Sequence, residues 1–177
     1  MMCIQKLWIF VFSFFVLFLG NEVAFANGAF HKRPYSVKFI DEMSAHHEGG
    51  IKMAEMAIAK AYHSKLKHMA QMMKKDQQEE LMKLQEWRRR WYSSSPEYTY
   101  NGAEMDMSKL ERLSGLEFDI AFLDSMIMHH PGAIFLGNEA AVRSERSAIR
   151  NLGKRIAKAQ ETELNEMRAL RDRWAID

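Results

Sequence analysis

Residues 122–134 read "FLDSMIMHHPGAI" and place two adjacent histidines, His129 and His130, inside an apolar run. Residues 39–51 read "FIDEMSAHHEGGI". The two stretches lie 83 residues apart, and the match continues without a gap: residues 39–92 align with 122–175, with sixteen of 54 positions identical. Lys75, Gln77, Glu80, Leu81, Arg88, Arg90 and Trp91 meet Lys158, Gln160, Glu163, Leu164, Arg171, Arg173 and Trp174. The chain carries an internal duplication, so each copy reports on the other.

Each copy reads as two helices. Phe39, Met43, Gly50, Ala54 and Ala57 recur at helical spacing, and so do Leu66, Met69, Met73, Leu84, Trp87 and Trp91. Copy two repeats both stripes, from Phe122 to Ala140 and from Ile149 to Trp174. Ser64 and Ser147 stand before the second helix of each copy and suit N-caps. No stretch alternates as a strand does. Two hairpins that each expose an apolar face must bury it together. The fold class is all-α: an antiparallel four-helix bundle built from a duplicated helical hairpin, its helices roughly 36–42 Å long.

The flanks divide the chain further. Lys6 precedes an apolar run from Leu7 to Gly20, and Ala24-Phe25-Ala26 forms a small-x-small site. Residues 1–26 read as a signal peptide, so the protein is expected to be exported to the periplasm. The membrane enters only if that segment stays uncut. A loose arm spans 27–35, the first hairpin 36–92, a linker with a short helix 93–115, and the second hairpin 116–177. Ser108 with Glu111, and Ser114 with Glu117, fit capping boxes. The two hairpins form one domain.

Composition excludes several functions. Cys3 is the only cysteine and lies within the signal. Disulfides, zinc fingers, iron–sulfur clusters and thiol nucleophiles are therefore ruled out. The net charge of +2 is small and dispersed, which argues against nucleic acid. Arg88-Arg89-Arg90 complements the C-terminal dipole of a helix. No nucleophile–base pair, phosphate loop or zinc-protease motif is found.

The paired histidines carry the chemistry. Centre the helical face on Met43, and His47 lies about 40° to one side and His46 about 60° to the other. Met126, His129 and His130 repeat this. Folding each hairpin about its turn sets His47 level with Glu80, each roughly sixteen residues from that turn. His130 and Glu163 stand likewise, and Gln77 and Gln160 add an amide to each copy. Buried polar groups of this kind must pair or hold an ion. Met43, His46, His47, Glu80, Met126, His129, His130 and Glu163 are the candidate metal ligands. Imidazole suits copper, zinc, iron and nickel, and thioether favours Cu(I) or silver. A metal-free His–Glu layer that sets helix register is the other reading of the same residues.

Twelve methionines remain among the 151 residues after the signal. Most can be flexible core filler. Met53 with Met56, and His68 with Met72, have a spacing that could clasp a soft ion, and Met105 and Met107 in the linker fall outside any core periodicity. Met69, Met73 and Met82, with His63, crowd the same hairpin. Pro131, where copy one has Glu48, should kink its helix and free the carbonyl of Ile127.

At "FIDEMSAHHEGGIKMAEMA" and "LSGLEFDIAFLDSMIMHHPGAI" the sequence resembles the family called domain of unknown function 305, over residues 36–175. The resemblance implies an exported four-helix protein with a ferritin-like fold and, for some members, copper and silver binding and resistance. It carries over Met43, His46, His47, Met126, His129 and His130 as metal-site residues. Second motifs in the family often continue with methionine after the His pair; here Leu136 and Gly137 follow. Three functions fit these residues. The first is buffering or carriage of copper, with the ion and other metal-handling proteins as partners. The second is a structural or interaction module. The third is a di-metal oxidoreductase, for which the usual Glu-x-x-His is missing after Glu80 and Glu163.

Overall fold

A computed structural model describes residues 34–98 and 107–176. The expected signal peptide, residues 27–33 of the arm, and Met105 lie outside the described residues. Five helices follow in order: α1 Tyr35–Lys60, α2 Ser64–Tyr92, α3 Ser108–Arg112, α4 Gly115–Arg143 and α5 Ser147–Trp174. Among the described residues there is no strand. α1 pairs with α2 and α4 with α5, each as an antiparallel hairpin, and the hairpins meet along α1 and α4.

The apolar stripes pack into two separate clusters. One joins Met53, Ala57, Leu66 and Met73 to Phe118, Phe122, Met126 and Met167. The other joins Phe39, Met43 and Leu84 to Leu136, Ile149 and Ile156. Every long helix contributes to both, and every long helix breaks between them at polar residues. In α1 the break holds His46 and His47, in α2 Gln77 and Glu80, in α4 His129 and His130, and in α5 Gln160 and Glu163.

The hairpins lock by exchanging caps. The first N–H groups of a helix have no partner within it. At α1, Tyr35 and Ser36 donate backbone N–H bonds of 2.7 and 3.1 Å to the Glu145 carboxylate in the α4–α5 turn. The Ser36 hydroxyl reaches the same carboxylate at 2.7 Å. Burial pushes the Glu145 carboxyl up, but hydrogen bonds from Ser36 and the backbone outweigh it and hold the group below its usual range. Ahead of α2, the backbone N–H groups of Tyr62 and His63 donate to Asp119 on α4 at 2.9 and 2.8 Å. The 83-residue shift places Ser36 over Asp119 and Tyr62 over Glu145. Each copy thus caps the other's turn or helix start through equivalent positions.

Ahead of α2 this exchange takes the place of the local cap expected at Ser64, and the other expected caps also form no side-chain bond. Ser64 and Ser147 are first helical residues, and the caps at His63 and Arg146 make no side-chain cap bond. Ser114 is the cap of α4 without a side-chain bond, and Ser108 lies inside α3, capped by Met107. The carbonyls of Ser114 and Met107 instead accept from Phe118 and Glu111 in ordinary helical bonds. Arg88 does serve a helix end: it donates to the carbonyls of Tyr92 and Ser95 and pairs with Asp41 at 2.6 Å. α4 runs on through Pro131, whose ring is exposed.

The α4–α5 hairpin is the tighter one. A Cβ on Gly137 would lie 2.5 Å from the Gly153 carbonyl oxygen, and a Cβ on Gly153 2.6 Å from that of Gly137. Copy one carries Ala54 and Ala70 at these positions. Gly153→Ala is expected to cost about 1–3 kcal/mol, because backbone must move to admit the methyl. Urea unfolding measures this, and an unchanged midpoint and slope would contradict so close a contact.

Candidate metal centre

The break in the apolar core forms one polar layer. His46, His47 and His130 are buried, and His129 is half-buried. The rings of His46 and His129 stack at 3.7 Å, with an interplanar angle of 25°. His47 and His130 stand edge-on to their neighbours, each pair of ring centroids 6.3 Å apart. The sequence ridge of each helix explains this row. Gly132 of α4 leaves room for the His46 ring of α1. A Cβ on Gly132 would lie 3.0 Å from His46 Nε2.

The tautomers follow from the partners. His47 Nε2 lies 2.9 Å from Glu80 Oε2, and His130 Nε2 lies 2.9 Å from Glu163 Oε2. A carboxylate can only accept, so each Nε2 carries the proton, and in the neutral ring each Nδ1 keeps its lone pair. Among the described residues, Nδ1 of His47, His129 and His130 is buried with no hydrogen-bond partner. So are both amide atoms of Gln77 and the oxygen of Gln160. His46 donates from Nε2 to the backbone carbonyl of His129 at 3.2 Å.

Protonation of His46 and His129 is unfavourable. Burial pushes the His46 imidazole down to about 4, helped by the nearby His47 ring and partly offset by its bond to His129. Burial also pushes His129 down to about 2, with His46, His130 and His47 adding to it. Both fall below 6.5, so the unfolded chain takes up protons that the folded one refuses. The stability is complete above pH 6.5 and is lost as pH falls toward the folded values. Lowering pH from 7 to 5 is expected to remove about 2–4 kcal/mol from the two rings together. Denaturant midpoints at the two pH values check this, and equal midpoints would contradict the buried placement.

The other sequence candidates fall elsewhere. Met43 and Met126 are fully buried, one turn from each His pair and in opposite apolar clusters, so they bracket the layer. Met53 is fully buried and Met56 packs against the same cluster. His68 and Met72 are exposed on α2, four residues apart. Met107 is half-buried against the core, contrary to its expected place outside it, because α3 inserts Leu110 there. Among the described residues no three histidine, aspartate or glutamate side chains gather about one point. Asp119, fully buried and bonded to His63 Nδ1 at 2.8 Å, carries no signal within its own stretch. Only its alignment with Ser36 could have marked it.

The geometry agrees with a family relationship. Residues 36–171 match the family described as Domain of unknown function (DUF305). The chain belongs to this family. It is similar to CopM in the Cu(I)-bound form, with 31% identity, 78% of this chain and 96% of that chain covered, and a TM-score of 0.71. CopM in the Ag-bound form is 30% identical, with the same coverage and a TM-score of 0.69. A DUF305 protein from Streptomyces coelicolor is 22% identical over 80% of this chain and 94% of its own, with a TM-score of 0.72, and shares the fold. No curated protein matches the sequence. Among the described residues no helix is long and apolar enough to cross a membrane.

Proposed function

We propose that this DUF305 protein is an exported, periplasmic binding protein that buffers or carries a soft metal ion, copper as Cu(I) or silver, in its histidine layer. One observation carries the reading: the Nδ1 lone pairs of His47 and His130 are buried and bare while Glu80 and Glu163 hold the opposite nitrogens. Metal-binding histidines are commonly oriented this way, by a carboxylate on the far ring nitrogen. His46, His47, His129 and His130 would supply nitrogen, and Met43 and Met126 thioether sulfur. This donor set suits a soft ion that accepts few ligands. Glu80 and Glu163 act as outer partners in this reading, where the sequence had them as direct ligands. The likeness to CopM, at 31% identity and in Cu(I)- and silver-bound forms, supports it. His68 with Met72 would form a weaker, exposed collecting pair, with Met53, Met56 and Met107 left as packing.

A second reading is favoured by the closed His–Glu bonds and by the lack, among the described residues, of any three-carboxylate-or-imidazole cluster. In it the layer fixes helix register and binds nothing. Titration of the protein with Cu(I) against a colorimetric chelator separates the two. Withdrawal of Cu(I) from the chelator supports the binding protein; a chelator that keeps all its copper leaves the structural layer.

A further inference from the structure

α2 departs from its duplicate along one ridge. His68, Met72, Asp76 and Glu80 follow one another at intervals of four residues. On a helix such residues are neighbours, each about 6 Å further along the axis and about 40° further round. The row starts in solvent and winds inward. His68, Met72 and Asp76 are exposed, the Glu80 side chain is 22% exposed, and His47, which Glu80 holds, is fully buried. Imidazole, thioether and two carboxylates thus lead in order from the surface to the histidine layer. The same register of α5 reads Asn151, Arg155, Ala159 and Glu163. Only the last member is kept there, and an arginine stands where the thioether would be.

Two further observations meet at the inner end of the row. Partial burial, then Glu163 of the other hairpin, pushes the Asp76 carboxyl up, with Lys75 opposing and Glu79 and Glu80 adding to the rise. Asp76 therefore stands in the field of both carboxylates that hold the layer. Gln77, beside it, is 3% exposed, and among the described residues neither of its amide atoms has a hydrogen-bond partner. Its Oε1 turns toward α1, where a Cβ on Gly50 would collide with it. A buried amide this bare is where a water or a passing ion finds polar contacts.

We propose that this ridge is the route by which the soft ion passes between solvent and the histidine layer, an inference that rests on the proposed binding function. His68 and Met72 take up the ion, because imidazole and thioether suit it. Asp76 and Glu80 offer hard oxygen, a poor resting place for such an ion, so they attract its charge and pass it inward. The last step reaches His47, whose far ring nitrogen Glu80 already holds. Copy two has no such entrance, because Arg155 repels a cation and Ala159 offers no donor. The two halves of the layer are therefore loaded from one side.

Stopped-flow mixing of the exported protein with Cu(I), and of the Cu(I)-loaded protein with excess colorimetric chelator, reads uptake and release. Asp76→Ala and Met72→Leu are expected to slow both about tenfold, because a step on a route lowers the barrier in each direction. Uptake by the parent should weaken as salt rises, and uptake by Asp76→Ala should weaken less. Glu86→Gln removes an exposed charge further along α2 and should change neither rate. Three results would each overturn the route while leaving the binding function intact. They are unchanged rates in Asp76→Ala and Met72→Leu, slowing of the same size in Glu86→Gln, and slower uptake with release unaltered, which makes Asp76 a distant charge and not a step. A parent that leaves all Cu(I) on the chelator removes the binding function itself, and the route with it.

Discussion

Replacing His47 and His130 together by alanine is expected to weaken Cu(I) binding by at least about 100-fold, beyond what losing an outer partner alone costs. These two rings are fully buried, and each turns a bare Nδ1 inward because its Nε2–H is held by a glutamate. Glu80→Gln with Glu163→Gln provides the graded comparison. The amide still accepts from Nε2, but it lowers the basicity of the ring, so a loss of about 10–100-fold is expected. Competition titrations with a Cu(I) chelator read both effects, and circular dichroism shows whether the helices persist. Equal affinity in the histidine double variant and the parent would move the site away from the layer, toward His68 and Met72.

The largest effect on stability is expected at Asp119. Its carboxylate is fully buried and accepts from the backbone of Tyr62, the backbone of His63 and the His63 ring. Asp119→Ala leaves two N–H groups at the α1–α2 turn and an imidazole nitrogen without their acceptor. Each orphaned buried donor costs about 1–3 kcal/mol, so a total of about 3–5 kcal/mol is expected. The His63 ring stacks on Trp174 at 4.0 Å, so the loss should also loosen the end of α5. Asp119→Asn, which keeps one acceptor, should fall between the two. Equilibrium unfolding in urea measures the difference; a cost below about 1 kcal/mol would mean that water serves the turn as well as the carboxylate does.

Much of this architecture is visible in the sequence because the duplication tests every reading twice. A stripe such as Leu66, Met69 and Met73 gains weight when Ile149, Leu152 and Ile156 repeat it. Counting from each turn also explains why His47 meets Glu80 and His130 meets Glu163: both members stand at one height in an antiparallel hairpin. What stays hidden depends on the contact between hairpins. Neither the stacking of His46 on His129 nor the reach of Asp119 to Tyr62 and His63 follows from spacing within one copy. Local capping rules pointed to Ser64 and Ser147, and carboxylates from the other hairpin took that role near α1 and α2 instead. Met107 was misplaced for a similar reason, since the linker's short helix turns it back on the core.

In the proposed binding protein, His47 and His130 present unprotonated Nδ1 atoms to a soft ion from within the bundle. Long-range proton–nitrogen correlation spectroscopy of the histidine rings, recorded while Ag(I) is added, addresses those atoms directly. Nδ1 of His47 and His130 is expected to begin as a bare lone pair and to shift on metal addition, while Nε2 keeps its proton. Ring nitrogens that stay unmoved while only methionine methyl signals respond would contradict it.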